Sequence, residues 1–194
     1  FGGSLGDHSY AIAVDRGNNV IITGNTLSND LPDTAGVFQS TPAGVYDCFI
    51  SKFTKDGQRI WTTYLGGDSS DYSTTIAIDT LSSIYVAGWT FSRQFPVTIN
   101  CFQKNFAGGE NDGFISRIDK NGQLVWSTFC GGSTSEHIYG IAHSQNGQVT
   151  VTGWTSSLDF PIDKFHFQPQ LKGSEDAFVV TCSDLGTYKW GTFL

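Results

Sequence analysis

An acidic residue followed by a histidine or a tyrosine recurs three times in this sequence. The three pairs are Asp7-His8, Asp71-Tyr72 and Glu136-His137. A carboxylate beside an imidazole or a phenol could bind a cation or a polar ligand. The same carboxylate could instead accept hydrogen bonds from a turn and leave the neighbouring ring exposed. The sequence leaves both interpretations open, and the elements that hold the pairs decide between them.

Two tryptophans, Trp89 and Trp154, stand in the phrase GWT, each directly before a threonine. An indole beside hydroxyl and amide groups suits stacking on a sugar, whereas the same large ring also suits packing between sheets. Asn25 holds the corresponding position in the first copy of the phrase. We expect Trp89 and Trp154 at the opposite end of the molecule from the acidic pairs, or at sheet edges.

Two other recurring sets are interpreted as structural. They are Trp61, Trp126 and Trp190, one in each WxT phrase, and Asp47, Asp112 and Asp176, one before each third strand of the repeat. A buried indole suits the packing of one unit against the next. An aspartate at the start of a strand can accept hydrogen bonds from turn N–H groups. Oxygen ligands are not clustered as calcium requires, so no metal site is predicted.

Catalytic motifs are missing from the sequence. It contains no nucleophile elbow, phosphate-binding loop, dinucleotide fingerprint or paired-histidine zinc motif. Catalysis needs different groups that converge on one place, and near-identical repeats do not supply them without an insertion. The sequence therefore predicts a protein that is not an enzyme, with no catalytic residues and no cofactor.

The charge and hydrophobicity of the chain exclude two classes of partner. Lys and Arg number 11 against 18 Asp and Glu, a formal net charge of −7, and no basic run occurs. A surface that follows nucleic-acid phosphates is therefore not expected. The apolar runs, such as AIAV at 11–14, are too short to cross a bilayer. Four cysteines without CxxC spacing leave buried thiols and disulfides both open.

Three copies of a unit of about 65 residues make up the chain. Gly-Gly pairs recur at 2–3, 66–67 and 131–132, and the phrases YAIAVD, TTIAID and YGIAHS follow them in the same register. The repeat predicts one segment over 1–194, with blade 1 at about 4–65, blade 2 at about 68–130 and blade 3 at about 133–194.

Each unit is expected to form four antiparallel strands. The last two strands are joined by KDG at 55–57, KNG at 120–122 and DLG at 184–186, whose glycines accept the positive φ of hairpin turns. Repeated four-stranded units are the signature of a β-propeller, whereas a β-solenoid usually has a much shorter repeat. The predicted fold is all-β: three propeller blades that form part of a larger ring, or half of a six-bladed dimer.

By these phrases the chain resembles the bacterial β-propeller repeat family called SBBP. The resemblance rests on GG, an acidic residue, IAVD, the TG phrase, FP, FQ, DAFV and the closing LGG, which recur with substitutions through the three units. Repeats two and three fit this pattern well, whereas in the first repeat Asn25 replaces the tryptophan and LP replaces FP at 31–32. It implies a propeller fold and a secreted or surface-attached location. It implies no catalytic residues, because the family is defined by its architecture.

The leading functional hypothesis is a non-enzymatic scaffold or adhesion module, extracellular or at the cell surface. A carbohydrate-binding propeller with sites near blade junctions is the alternative, and a propeller enzyme is less favoured. Three blades cannot close a ring, since propellers use about four to eight. The expected partners are therefore other blades of a longer chain or a second copy of this chain.

Overall fold

The computed structural model describes residues 2–32, 36–163 and 167–194, which fold into three four-stranded antiparallel sheets. Blade 1 contains β1 (Asp7–Val14), β2 (Val20–Thr26), β3 (Asp47–Phe53) and β4 (Arg59–Leu65). Blade 2 contains β5 (Asp71–Ile78), β6 (Ile84–Thr90), β7 (Asp112–Ile118) and β8 (Leu124–Cys130). Blade 3 contains β9 (Glu136–His143), β10 (Gln148–Thr155), β11 (Asp176–Ser183) and β12 (Tyr188–Phe193).

In every sheet the strands lie in the order in which they follow one another along the chain. The prediction of an all-β fold built from four-stranded antiparallel blades is confirmed, and the three blades form an open array. Within the described ranges there is no helix long and apolar enough to cross a membrane. The four cysteines are free thiols.

The hairpin turns between the third and fourth strands have the predicted backbone conformation. Gly57, Gly122 and Gly186 adopt φ angles of 81°, 84° and 78°. A side chain in this left-handed region would be strained, and glycine avoids that strain. The turn glycines therefore fix where each outer strand begins.

The glycine of the TG phrase lies where two strands approach unusually closely. A Cβ added to Gly24, Gly88 or Gly153 would lie 1.8 Å from a backbone carbonyl oxygen of the adjacent first strand. The register of the first two strands shifts at this point in each blade. Such a bulge bends the strand and changes the direction of the side chains before it.

Neighbouring blades pack through the first strand of the following blade. We call the side of each sheet that meets the preceding blade its leading face, and the side that meets the following blade its trailing face. Ile76 and Ile78 on the leading face of blade 2 pack against a buried cluster that includes Ile21 and Ile50 of blade 1. Ile141 of blade 3 packs in the same way against a cluster that includes Ala87.

Candidate functional site

The acidic residues of two recurring pairs are fully buried. Asp71 accepts hydrogen bonds from the Gly67 N–H at 2.8 Å, the Ser92 hydroxyl at 2.9 Å and the Thr90 hydroxyl. Glu136 accepts equivalent bonds from the Gly132 N–H at 2.9 Å and from the hydroxyls of Thr155 and Ser157, both at 2.6 Å. These carboxylates hold the Gly-Gly turn to the end of the second strand. Their oxygens face protein donors rather than solvent.

At each internal junction between blades, a second carboxylate lies close to Asp71 or Glu136. An added Cβ on Gly66 would lie 2.5 Å from Cγ of Asp47 and 2.8 Å from Oδ2 of Asp71. A Cβ added to Gly131 would lie 2.7 Å from Cγ of Asp112 and 2.6 Å from Oε2 of Glu136 in blade 3. Asp47 belongs to blade 1 and Asp71 to blade 2, so each pair spans a junction.

Burial of these pairs disfavours their charged forms. It raises the pKa of Asp71 to about 6. It raises the pKa of Asp112 to about 7, and the nearby Glu136 carboxylate adds to that rise. Oδ1 of Asp112 has no hydrogen-bond partner among the described residues. A carboxyl group with a pKa near neutrality is in part protonated at pH 7, which reduces repulsion within the pair.

Asp7 and Asp176 hold the corresponding positions on the outer sides of the array. Both are half-buried, whereas their counterparts at the two internal junctions are fully buried. Asp7 accepts a hydrogen bond from the Gly3 N–H at 2.7 Å, and Asp176 accepts one from the Lys172 N–H at 2.7 Å. Among the described residues no three His, Cys, Asp or Glu side chains converge in a way that could hold a metal ion.

Aromatic side chains from all three blades stack in a row at one end of the array. This aromatic row consists of Tyr46, Tyr72, Trp89, His137 and Trp154. The ring centroids of Tyr72 and Trp89 lie 5.5 Å apart, and those of Trp89 and His137 lie 4.0 Å apart with an interplanar angle of 6°. The distance from His137 to Trp154 is 4.5 Å.

The expectation that Trp89 and Trp154 lie at the opposite end from the acidic pairs is wrong. Tyr72 pairs in register with Trp89, and His137 pairs in register with Trp154. In an antiparallel pair of strands the start of the first lies beside the end of the second. The residues after each acid and the tryptophans of the GWT phrase therefore share one end of the molecule.

Stacking within the row limits which rings can contact a ligand. Trp89 lies between Tyr72 and His137, so both of its faces are covered. Trp154 packs against His137 with an interplanar angle of 34°, and this is its single contact among the described ring pairs. Burial lowers the pKa of His137 and so favours its neutral form, and Nδ1 lies 3.1 Å from the Tyr139 hydroxyl. His8, at the same position in blade 1, is exposed and stacks beside Tyr10 at 6.4 Å.

The tryptophans of the WxT phrases contact the turn of the next blade. The Nε1–H group of Trp61 donates to the Lys120 carbonyl at 3.0 Å, and that of Trp126 donates to the Asp184 carbonyl at 2.7 Å. Both indoles are buried. Trp190, on the outer strand of blade 3, is half-buried.

A buried ion pair inside blade 1 was not identified from the sequence. Nζ of Lys52 lies 2.9 Å from Oδ2 of Asp15. Burial opposes ionisation of Asp15, but bonds from Asn19 and Lys52 outweigh it and lower its pKa to about 2. In blade 2 the same positions hold arginine and aspartate, and in blade 3 threonine and serine. This joint change of two distant positions is the signal that could have revealed the pair.

Comparison with known proteins supports the repeat architecture. Residues 60–95 match the SBBP family, described as a beta-propeller repeat. The matched segment covers most of β4 and the first two strands of blade 2. The chain is also similar to an "Uncharacterized WD repeat-containing protein L264" of Acanthamoeba polyphaga mimivirus, with 28% identity over 168 residues. That match covers 76% of this chain, and the chain spans 12% of the length of the relative.

Proposed function

We propose that this chain is a non-enzymatic interaction module of the β-propeller type. The observation that carries this proposal is the aromatic row, which runs across two blade junctions at one end of the array. Exposed Tyr139 and half-buried Tyr46 and Tyr72 lie in or beside the row. Aromatic residues held rigidly at a surface are typical of protein contact sites. We place the module at the cell surface or outside the cell, a location supported by the SBBP resemblance.

Carbohydrate binding near the blade junctions is the second candidate function. It is favoured by Trp154, whose face away from His137 carries no described ring contact. It is not supported at Trp89, because a ring covered on both faces cannot stack on a sugar. The acids Asp71 and Glu136 are engaged by backbone and hydroxyl donors, so a sugar would have to use other polar groups.

A propeller built from these blades needs further blades to close. Three blades are fewer than the four to eight of closed propellers. The missing blades belong either to a longer chain or to a second copy of this chain. In both cases the aromatic row lies at one end of the completed ring.

One set of experiments on the folded chain distinguishes the two proposed functions. A photo-crosslinking residue at Tyr139 should capture a protein partner from the surface fraction of the source organism, whereas the same residue at Val125, exposed on β8, should not. A glycan array should give no signal. Glycan binding that is lost in Trp154→Ala and retained in Val125→Ala and Trp89→Ala would replace the first proposal with the second. Circular dichroism of each variant controls for folding.

A further inference from the structure

A polar cleft lies between blades 2 and 3, at the end of the array opposite to the aromatic row. Its volume is about 370 Å³, and it is lined by the turn after β5, the end of β9, the turns after β9 and β11, and Arg117 of β7. His143 in the cleft and His137 in the aromatic row stand at opposite ends of β9. A cleft of this volume suits a small molecule rather than a folded partner.

The guanidinium of Arg117 has hydrogen-bond donors to spare at this cleft. Arginine carries five N–H groups. Nη1 donates to the Asp184 carbonyl at 3.0 Å, and Nη2 donates to the Ser83 hydroxyl at 2.9 Å. Nε is buried without a partner among the described residues. The remaining N–H groups of the two terminal nitrogens suit a carboxylate, which can accept two of them at once.

The nearby carboxylate of Asp79 does not compensate this charge closely. Its Oδ2 lies 3.7 Å from Nη2 of the arginine, which is too long for a hydrogen bond. Asp79 instead accepts from the N–H groups of Leu81 and Ser83, both at 2.8 Å. In blade 1 the corresponding pair is closed, with Lys52 at 2.9 Å from Asp15. Asp79 is therefore held by its own turn and leaves the arginine open to another anion.

A carboxylate without a partner also lines the cleft, from blade 3. Oδ2 of Asp184 would lie 3.3 Å from a Cβ added to Gly147, in the turn after β9. The backbone carbonyl of Asp184 accepts from Arg117 and Trp126. Among the described residues its carboxylate accepts no hydrogen bond and forms no ion pair. An ammonium group is a strong partner for such a carboxylate.

The ring of Tyr85 positions two other groups of the cleft. The His143 imidazole stacks on it with the ring centroids 4.8 Å apart, and the guanidinium carbon of Arg117 lies 5.6 Å from its centroid. Tyr85 is fully buried, and its hydroxyl donates to Asp79 at 3.2 Å. The binding groups are therefore ordered before a ligand arrives, which lowers the entropic cost of binding.

The polar character of the cleft is specific to this junction. At the positions of Tyr85, His143 and Asp184, the junction of blades 1 and 2 has Ile21, Ile78 and Lys120. Ile21 and Ile78 belong there to one apolar cluster. The repeat itself therefore does not require these polar groups. Different groups that converge on one place are what a ligand site needs.

From this arrangement we infer that the cleft binds a small zwitterion, such as a free amino acid, with its carboxylate at Arg117 and its ammonium group at Asp184. A simple anion would meet the two aspartates, and a simple cation would meet the guanidinium, whereas a zwitterion complements both charges. The imidazole of His143 offers a further hydrogen-bonding group. The inference goes beyond the proposed function, because the aromatic row lies at the other end of the array.

Titration of the purified protein with each of the common amino acids, followed by amide chemical shifts and calorimetry, tests the inference. At least one of them should bind saturably at low millimolar concentration. The largest shifts should occur at Leu81, Asn146 and Asp184, which line the cleft. The N-acetylated form of that amino acid and its amide should not bind, because each lacks one of the two charges.

Two substitutions locate the binding site. Asp184→Asn and Arg117→Lys should each weaken binding about tenfold or more, since each removes charge-assisted hydrogen bonds. The matched controls Asp56→Asn and Arg16→Lys change exposed turn residues of blade 1 and should leave binding unchanged. Circular dichroism of each variant controls for folding.

Several results would overturn the inference. They are the absence of saturable binding by every amino acid, binding that either derivative retains, and binding that neither substitution weakens. If Arg117→Lys fails to fold, Asp184→Asn decides, because its carboxylate has no hydrogen bond among the described residues. The crosslinking and glycan measurements concern the other end of the array, so failure of this site and failure of the proposed function are distinguishable.

Discussion

Two buried carboxylates lie against one glycine at each internal junction. The stability of the chain should therefore depend on whether these carboxylates are ionised and on the size of the side chain at the glycine position. The sequence predicted that Asp47 and Asp112 accept hydrogen bonds from turn N–H groups, and the structure contains such bonds from Ala43 and Ala107, both at 2.7 Å. It did not predict the pairing across the junction, because the two acids of a pair stand 24 positions apart in separate sheets.

The stability of the chain should fall as the pH rises from about 4 to about 7. The pKa of Asp112 is about 7 in the folded chain against an ordinary 3.8, so the folded state binds more protons than the unfolded state in this window. Asp112→Asn removes the charge and should raise the free energy of unfolding at pH 8 by roughly 1–2 kcal/mol, with little change at pH 4. Urea denaturation at both pH values measures this.

Asp56→Asn, in an exposed hairpin turn, is the control for that measurement. It should change the free energy of unfolding equally little at both pH values. An Asp112→Asn gain of the same size at pH 4 and pH 8 would contradict the role of the buried charge. Asp15 has the opposite effect on stability. Because its pKa is lowered to about 2, its contribution to the free energy of unfolding is lost only as the pH falls below about 4.

Gly131→Ala should destabilise the chain by about 1–3 kcal/mol or more, because its Cβ would overlap two carboxylates. Gly6→Ala is the matched control, since the atom nearest to its added Cβ is 3.8 Å away. Thermal unfolding followed by circular dichroism compares the two. Equal melting temperatures for both variants would show that the junction relaxes around the new methyl group.

At the scale of strands and turns, the positions of the hairpins were predicted correctly, whereas the end of the molecule at which Trp89 lies was not. The KDG, KNG and DLG turns have the positive φ that their glycines allow. Trp89 was assigned to the wrong end, although the predicted antiparallel pairing already places the end of the second strand of a blade beside the start of the first. The register of Trp89 with Tyr72 shows this placement.

The indole of Trp126 should contribute measurably to the contact between blades 2 and 3. Trp126→Phe removes the bond to the Asp184 carbonyl and part of the buried ring, so we expect a loss of about 1–3 kcal/mol. Val125→Ala changes an exposed neighbour and should stay within about 0.5 kcal/mol of the wild type. Chemical denaturation measures both. A Trp126→Phe variant as stable as Val125→Ala would mean that the hydrogen bond and the lost ring area add nothing.

For the whole molecule, the repeat alone was sufficient to predict the fold. Three matching units with hairpin signals predicted four-stranded blades, and three such blades are present. The aromatic row was not predicted as a unit, because its rings come from different strands of three sheets. Tyr46 in particular has Asn111 and Glu175 at its equivalent positions, so no recurring phrase marked it.

The matched residues at the junctions also constrain how an array of this kind can lengthen. The Lys52–Asp15 pair lies inside one blade and would survive duplication of that blade. The contact between Thr23 and Ser73 joins two blades, and a duplicated blade 2 would set Ala87 against Ser73. That duplication would replace the Thr23 hydroxyl beside Ser73 with a methyl group and leave the Ser73 hydroxyl only a bond to the glycine carbonyl, as it now has with Gly24. Gene duplication or protein engineering that adds a blade here therefore loses one polar contact at the new junction unless its neighbour changes as well.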